Sequence, residues 1–525
     1  MTAPANKWVI AISVAFGSLM ATIDSSIVNV AMPAIRGELG ASLEAMTWVS
    51  TAYMIAMVVI MPLTGFLGAL IGQKRLYLIS LALFVAGSAL CGTARSLETL
   101  TLFRVLQGLG GGALQPTQQA ILRQTFPAHE QGMAMAMFMM VIMIGPAIGP
   151  VLGGWIVDNY HWPWIFYINL PVGLLGMFMT LRNVHEPADV ALQNRQRAVV
   201  ARRNFDWAGI IFMIIGVAAL QYLFEEGPQN DWFAATDVVI AGFAAAIGLS
   251  AFVIRELSAT APVVNLRLFR DATFAAGTMV ATIMFAVLVG STFLLPVFMQ
   301  EVLRFDATTA GFVLLPRTIA MMIVSPIIGR LYTRVPPASI VGVGVVLFVI
   351  GSWQLSTVSA ETGSGDLLVP LVITGFAFAC LFVPLTTAAL SQIPRHQLAD
   401  AAGLNAFMRQ IGGSIGLTML TTVFGRYAVE ASAALSDNVS ILRPEVVSQV
   451  AQMRGGLIAR GLDGGSADIL VAASLRGKVA IQGLAVAFDK TFILQCALFV
   501  LVLPLLFFLR TGPRTAAPVA QVHLE

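Results

Sequence analysis

The stretch PTQQAILRQTFPAHEQG, residues 116–132, is similar to PLTTAALSQIPRHQLA, residues 384–399. The match places Pro127 opposite Pro394 and His129 opposite His396, at an offset of 267 residues. Two glycine pairs further along keep this offset: Gly145 with Gly412, and Gly149 with Gly416. Because both copies run in the same direction, the chain contains a long parallel repeat, and this repeat limits the folds that the chain can adopt.

The composition is that of a protein embedded in lipid. Of the 525 residues, 58% are hydrophobic and only 11% are charged. A soluble domain carries about 25% charged residues, and a membrane-spanning helix needs ~20 mostly apolar residues. Fourteen segments meet that description: residues 8–31, 46–67, 76–94, 98–121, 133–157, 163–181, 206–224, 235–255, 273–299, 308–331, 338–357, 367–391, 400–424 and 485–509.

The distribution of basic residues predicts the orientation of these spans. With the N-terminus in the cytoplasm and alternating spans, 17 Lys and Arg residues fall on the inner side, and three fall in short outer loops. This asymmetry is expected for a bacterial cytoplasmic (inner) membrane protein with both termini in the cytoplasm. The long segment 425–484 is then external, and its periodic apolar residues predict an amphipathic helix within it.

The repeat predicts the domain organisation. It relates predicted helices 4–5 to helices 12–13, a shift of eight, so two helices lie between two six-helix halves. We therefore expect an N-terminal half at 1–190, a two-helix insert with its preceding cytoplasmic linker at 191–260, and a C-terminal half at 261–525. Parallel six-helix halves with a substrate site between them describe the major facilitator fold. The predicted fold is an all-α integral membrane bundle of 14 helices arranged 6 + 2 + 6.

Several stretches resemble a known transporter family. DSSIVNVAMPAI (24–35), LFRVLQGLGGGALQPT (102–117) and GPAIGPVLGG (145–154) are similar to three sequence signatures of drug:proton antiporters. With the helix count, they resemble the EmrB/QacA-type branch of the major facilitator superfamily. Three further stretches resemble the EmrB side of that branch: HWPWIFYINLPVG (161–173), FMQEVLRFDATTAG (298–311) and FVPLTTAALS (382–391).

The third signature contains the antiporter motif of this family. Its residues are Gly145, Pro146, Gly149, Pro150, Gly153 and Gly154. Glycines at three-to-four spacing form a smooth stripe that allows close helix contact, and the prolines remove backbone donors and bend the helix. The spacing alone is also compatible with a purely packing role. The resemblance, rather than the spacing, implies that the transporter exports its substrate.

The loop GFLGALIGQKR (65–75) departs from the family pattern. The family places an acid four residues after the first glycine and a basic residue next, whereas this chain has Ala69 and Leu70 there. The family's acid is associated with holding the outward-facing state, so this chain lacks the residue of that gating device, while the predicted fold is unaffected.

Asp24 is the only acid well inside a predicted span. A charge within the hydrocarbon region costs ~2.5–3.5 kcal/mol or more, so it normally faces a cavity or a partner. At 1.5 Å per residue, Asp24 lies ~10 Å and Arg104 ~9 Å below the outer surface. We therefore predict that they pair. In the resembling family both positions are tied to proton coupling, and the alternative is a static pair that only fixes helix packing.

The other candidates are substrate-binding residues. Arg317 and Arg409 could bind backbone carbonyls freed at nearby prolines and glycines, or could make a central cavity electropositive. The remaining cavity candidates are Gln115, Gln118, Met54, Met57, Phe285, Phe293, Phe376 and Phe407. Five acids at span ends are expected to be solvated: Glu225, Glu226, Glu301, Asp400 and Asp489.

These observations predict a proton-coupled exporter of amphipathic or hydrophobic compounds, hence multidrug efflux by alternating access. The alternative is a lipid or fatty-acid transporter on the same fold. The expected partners are membrane lipid, protons, a small amphipathic substrate and, through 425–484, a periplasmic adaptor and an outer-membrane channel. We expect no enzyme activity, metal, bound cofactor or nucleic acid: no G-x-x-x-x-G-K-[ST] loop occurs, and the five histidines are scattered.

Overall fold

The computed structural model describes residues 6–203, 205–359, 361–437, 439 and 443–508. Within these ranges all regular secondary structure is helical. The predicted cytoplasmic position of the C-terminus concerns residues 509–525, which lie outside the described residues.

The helices follow the chain in three groups. The first group is α1 (Lys7–Leu39), α2 (Leu43–Ile60), α3 (Thr64–Ile71), α4 (Gln73–Cys91), α5 (Leu97–Thr125), α6 (Gln131–Asn159), α7 (Trp164–Tyr167), α8 (Asn169–Asn183) and α9 (Ala188–Arg203). The second is α10 (Trp207–Glu226) and α11 (Thr236–Ser258). The third is α12 (Ala272–Glu301), α13 (Ala307–Leu331), α14 (Pro337–Leu355), α15 (Leu368–Ala389), α16 (Leu398–Ser436), α17 (Pro444–Ala459) and α18 (Gly464–Val500). Short 3₁₀ helices occupy Ala128–Glu130, Trp232–Ala234, Leu266–Arg270, Arg395–Gln397 and Leu503–Phe508.

The number of spans differs from the sequence count. Eleven helices of the described residues are long and apolar enough to cross a membrane, or twelve if the bent pair α2 and α3 forms one span. The predicted spans 98–121 and 400–424 correspond to α5 and α16, which are long helices outside this set. Polar side chains such as those of Arg104 and Arg409 lower their mean hydropathy. The count of fourteen is therefore not confirmed, and the domain boundaries stay a prediction.

The repeat is visible in the backbone. In each copy a proline, Pro127 or Pro394, precedes a three-residue 3₁₀ helix, and a long helix follows directly. The glycines that keep the same offset lie in those long helices, α6 and α16. Packing follows the repeat as well, because α6 lies against α1 and α16 lies against α12.

A predicted single span is broken near a proline. The segment 46–67 forms α2 and α3, which meet at an angle of 60° around Pro62. Proline lacks the backbone donor that would continue the hydrogen-bond ladder, and its ring clashes with the preceding turn. The short helix α3 therefore turns toward the third group of helices, where it contacts α16.

Contacts between the first and third groups concentrate on one face of the bundle. We call it the N-terminal face, because α1 begins there. Gly132 and Gly329 bring α6 and α13 together so closely that a Cβ on Gly329 would lie 2.8 Å from the Gly132 carbonyl oxygen. Arg395 donates to the Gln124 carbonyl oxygen at 3.1 Å. These contacts close the N-terminal face, which the charge distribution predicts to be cytoplasmic.

Asp400 contributes to the same closure. It is buried at the beginning of α16 and lies 2.9 Å from Arg197 of α9, so its predicted solvated position is wrong. The sequence prediction failed because Asp400 lies at the end of its own helix, where acids usually face water. Here α3 and α9 cover that end from the other half of the chain.

Two helices extend well beyond the predicted spans at the opposite face. α16 has 39 residues and α18 has 37, so each is ~55 Å long, against a hydrocarbon core of ~30 Å. α17 connects them and contains the predicted amphipathic stretch. The segment 425–484 is therefore largely a helical projection from the third group.

Candidate proton-coupling and substrate sites

Asp24 lies fully buried in the middle of α1 and is surrounded by donors from other helices. Arg104 Nη1 of α5 donates to Asp24 Oδ2 at 2.6 Å. Gln107 Nε2 of α5 and Asn169 Nδ2 of α8 both donate to Asp24 Oδ1, at 2.8 Å and 2.9 Å. Three side chains thus stabilise the ionised carboxylate, and the structure brings the predicted pair into direct contact.

Arg104 is held as firmly as its partner. Its Nη1 also donates to Gln107 Oε1 at 2.6 Å, and its Nε donates to the Val49 carbonyl oxygen at 3.3 Å. The guanidinium carbon lies 3.9 Å from the centre of the Tyr53 ring, a geometry that favours a cation over an aromatic face. Arg104 is therefore fixed by contacts to α1, α2 and its own helix.

Ser88 of α4 completes this arrangement. Its hydroxyl oxygen accepts from Gln107 Nε2 at 2.6 Å and from Asn169 Nδ2 at 3.2 Å. We call Asp24, Ser88, Arg104, Gln107 and Asn169 the Asp24 network; all five are buried and come from α1, α4, α5 and α8. With one acid and one base, the network is neutral while Asp24 is ionised, and it carries an uncompensated positive charge once Asp24 is protonated.

The predicted antiporter motif packs directly against the Asp24 segment. A Cβ on Gly149 would lie 2.5 Å from Ser26 Cβ, and one on Gly153 would lie 2.8 Å from the Ile27 side chain. Gly145 meets Thr22 in the same way. Gly154 faces open space, and Pro146 and Pro150 lie exposed on another side of α6. Three of the four glycines therefore allow α6 to contact α1 on both sides of Asp24.

Arg317 and Arg409 occupy a different environment in the third group. Both are buried and lie against aromatic rings, Arg317 at 4.8 Å from Phe378 and Arg409 at 5.3 Å from Phe382. Arg317 Nη1 donates to Ser291 Oγ at 3.4 Å. Among the described residues neither arginine forms an ion pair, and one nitrogen of each, Arg317 Nη2 and Arg409 Nη1, lacks a hydrogen-bond partner.

The other cavity candidates are spread over the two halves. Gln118 is buried with its Oε1 unpartnered, and Gln115 is half-buried. Phe293 and Phe376 are 51% and 41% exposed. The remaining four, Met54, Met57, Phe285 and Phe407, pack against buried clusters.

Sequence reasoning missed Ser88, Gln107 and Asn169. A signal was present for two of them: Gln107 follows Arg104 by one helical turn, which places both side chains on the same face of α5. Asn169 is an uncharged polar residue within the apolar stretch that includes α7 and α8. Ser88 gave no signal, because a serine inside a membrane helix commonly bonds to its own backbone.

Comparisons with known proteins agree with this architecture. The family profile of the Major Facilitator Superfamily matches residues 14–417. The multidrug export protein EmrB of Haemophilus influenzae is 33% identical over 498 residues, covering 95% of this chain and 94% of that protein. The fatty acid resistance protein FarB of Neisseria gonorrhoeae is 31% identical and covers 96% of each chain.

A solved structure supports the fold at much lower sequence identity. The human organic anion transporter MFSD10 superposes with a TM-score of 0.60 at 13% identity, over 94% of this chain and 99% of that one. The apolar helices and the family match define a multi-pass membrane transporter. The chain belongs to the Major Facilitator Superfamily, and within it to the EmrB-type multidrug efflux transporters.

Proposed function

We propose that this protein is a proton-coupled antiporter that exports amphipathic or hydrophobic compounds by alternating access. The proton gradient drives it, so it needs no bound cofactor and performs no enzymatic reaction. The observation that carries the proposal is the fully buried Asp24 carboxylate, paired with Arg104 at 2.6 Å between helices of the N-terminal half. The similarity to multidrug export and fatty acid resistance proteins supports the direction of transport and the substrate class.

The network gives Asp24 two distinct states. When Asp24 is ionised, its two oxygens accept three hydrogen bonds and offset the Arg104 charge. Protonation removes that charge and converts one acceptor site into a donor. Arg104 is then a buried cation without a counter-charge, which is costly. The helices that carry the ion pair, α1 and α5, are thereby driven toward an arrangement that hydrates or re-pairs Arg104.

The glycine contacts provide a route from this event to the rest of the half. Gly145 and Gly149 of α6 lie against Thr22 and Ser26, which flank Asp24 on α1. At the start of the same helix, Gly132 meets Gly329 of the C-terminal half at the closed N-terminal face. A shift of α1 caused by protonation therefore acts on the helix that forms this contact between the halves.

The competing account treats Asp24 and Arg104 as a static pair. The experiment is efflux driven by an imposed pH gradient in proteoliposomes, comparing Asp24→Asn with Asp206→Asn. Asp206 is a matched control, because it is also buried and pairs with an arginine, Arg255, at 2.9 Å, but it lies at the N-cap of α10 and its partner on α11. We expect Asp24→Asn to abolish gradient-driven efflux and Asp206→Asn to retain it. Gradient-driven efflux by a folded Asp24→Asn variant would overturn the proposal.

A second candidate function is export of fatty acids or other anionic amphiphiles. Arg317 and Arg409 favour it, because a buried guanidinium with an unpartnered nitrogen is suited to bind a carboxylate. Efflux of laurate and of tetraphenylphosphonium should be compared in wild type and in Arg317→Gln/Arg409→Gln. Equal loss of both substrates would argue against an anion-binding role.

We further propose that the projection formed by α16, α17 and α18 meets a periplasmic adaptor leading to an outer-membrane channel, with both chain termini in the cytoplasm. Exposed apolar side chains on the projection, among them Val447 and Ile469, suit a protein contact. Val447→Asp and Ile469→Asp should lower co-purification of the host's adaptor without lowering transport in proteoliposomes. Unchanged co-purification would contradict this partnership.

A further inference from the structure

A second charged site lies on the N-terminal face, away from the Asp24 network. A cavity of about 450 Å³ opens between the turn that connects α3 to α4 and the linker helix α9. Lys74, Arg75 and Arg195 line it together with one acid, Glu186. The cavity therefore carries an excess of positive charge in a protein whose overall formal charge is only +3.

The cationic groups of the cavity are largely available to a ligand. Glu186 is engaged by Asn194 Nδ2, which donates to its Oε1 at 2.8 Å. Lys74 Nζ donates to the Leu181 carbonyl oxygen at 2.8 Å and has two further donors. Arg75 and Arg195 are exposed and form no ion pair within the described part of the chain.

The cavity also has an apolar side. Leu70, Ile71 and Val199 contribute to its lining. On α9, Leu192, Arg195 and Val199 share one helical face, and Leu192 and Val199 are 60% and 69% exposed. A helix with exposed apolar residues around a basic one is typical of the membrane interface, with its apolar side toward the acyl chains.

We propose that this cavity binds the headgroup of an anionic phospholipid. Arg75 and Arg195 contact the phosphate, and Leu70 and Val199 contact the beginning of the acyl chains. Basic pockets between membrane helices on the cytoplasmic side are suited to such headgroups. The departure from the family pattern supports this ligand, because Ala69 and Leu70 stand where the family has an acid and a base, and both line the cavity.

The site has a structural consequence for the closed N-terminal face. Two residues after Arg195, Arg197 pairs with Asp400 of α16 at 2.9 Å and donates to the His396 carbonyl oxygen at 3.2 Å. Gly65 of α3 packs on the same Asp400, and a Cβ there would lie 2.5 Å from Asp400 Cα. A lipid that holds α9 against the α3–α4 turn therefore also holds the contact between the two halves. In this chain, Arg197 and the lipid together hold the N-terminal face closed, the role that the resembling family gives to the loop acid that is absent here.

The test is lipid binding to the purified full-length protein by native mass spectrometry. Phosphatidylglycerol and phosphatidylcholine are titrated into wild type, Arg75→Gln/Arg195→Gln and the control Arg330→Gln/Arg334→Gln. The control removes two exposed arginines from the same face of the C-terminal half. Each basic residue that contacts an anionic headgroup contributes about fivefold in affinity, so the first variant should bind phosphatidylglycerol about 30-fold more weakly. The control substitutions should change the affinity for phosphatidylglycerol less than about threefold.

Three results would overturn the proposal: equal binding of phosphatidylcholine, equal weakening in the control, or displacement of the lipid by millimolar glycerol phosphate, which would indicate a free-anion site. Should the double variant not fold, Arg195→Gln alone carries the test with an expected loss of about fivefold. The binding measurement is independent of the proposed transport function. Arg197→Gln should leave lipid binding unchanged while altering transport. This variant therefore distinguishes lipid binding in the cavity from closure of the N-terminal face.

Discussion

In the N-terminal half Gly145 of α6 packs against Thr22 of α1, and in the C-terminal half its repeat partner Gly412 of α16 packs against Thr282 of α12. The backbones are thus joined in the same way, yet the buried charges differ. Arg104 has a carboxylate partner, whereas among the described residues Arg317 and Arg409 have none. A repeated scaffold therefore carries a paired charge in one half and unpaired charges in the other, which suits proton coupling in the first and substrate contact in the second.

The largest expected effect is on the paired side. Arg104→Gln leaves the buried Asp24 without its counter-charge and should lower the free energy of unfolding by about 3–5 kcal/mol. Thermal unfolding in detergent measures this change. Arg255→Gln is the control: it also removes the partner of a buried acid, Asp206, but solvent reaches the half-exposed Arg255 side of that pair, so the loss should be smaller than that of Arg104→Gln. Equal losses in both variants would show that the Asp24 network does not depend on its counter-charge more than the Asp206–Arg255 pair does.

The glycine contacts should show a smaller effect that is shared by both halves. Gly145→Ala and Gly412→Ala each insert a Cβ into an occupied space and should destabilise the protein by about 1–3 kcal/mol. Gly154→Ala, which faces open space, should stay within about 0.5 kcal/mol of wild type. Only Gly145→Ala should also change the pH dependence of efflux, because only its contact lies beside Asp24. The same change in the pH dependence of efflux in Gly412→Ala would contradict the assignment of proton coupling to the N-terminal half alone.

Asn169→Ala tests the outer part of the network. It removes one donor from Asp24 and one from Ser88, and should cost about 1–2 kcal/mol in unfolding free energy. Asn159→Ala is the control, since the Asn159 side chain is exposed and bonds only to its own helix. A loss no larger than that of the control would show that Asn169 does not support the carboxylate.

In the C-terminal half, substitution of the unpaired arginines should change substrate selectivity more than stability. Arg317→Gln and Arg409→Gln remove buried charges that have no ion-pair partner, so stability should change by less than about 1 kcal/mol or rise. The ratio of laurate efflux to tetraphenylphosphonium efflux should instead fall about tenfold. Strong destabilisation with an unchanged ratio would make these arginines structural.

The sequence predicted the Asp24–Arg104 pair better than the residues that surround it. Asp24 and Arg104 stood out because charges are rare in apolar spans, and equal depth along neighbouring helices was sufficient to pair them. Asn169 could not be assigned, because its approach to Asp24 depends on the packing of α8 against α1 and α4, which no local pattern contains. The prediction that Asp400 is solvated was wrong because it also depended on a tertiary contact: α3 and α9, from the other half, bury this residue.

Helix lengths were predicted least well on the outer side. The hydropathy pattern ended the predicted spans at 424 and began the last one at 485, where polar residues appear. The helices α16 and α18 continue through those positions, because a helix satisfies its own backbone hydrogen bonds in water as well as in lipid. Hydropathy therefore located the membrane segment and not the end of the helix.

The central claim is that Asp24 exchanges its proton for substrate. Its most direct test is the proton released when substrate is added to the purified protein in weakly buffered detergent solution, followed with a pH indicator. At a pH low enough to protonate Asp24 in the substrate-free protein, we predict about one proton released per bound substrate in wild type and in the Asp206→Asn control, and none in Asp24→Asn that still binds substrate. Undiminished proton release from the folded Asp24→Asn variant would contradict the account.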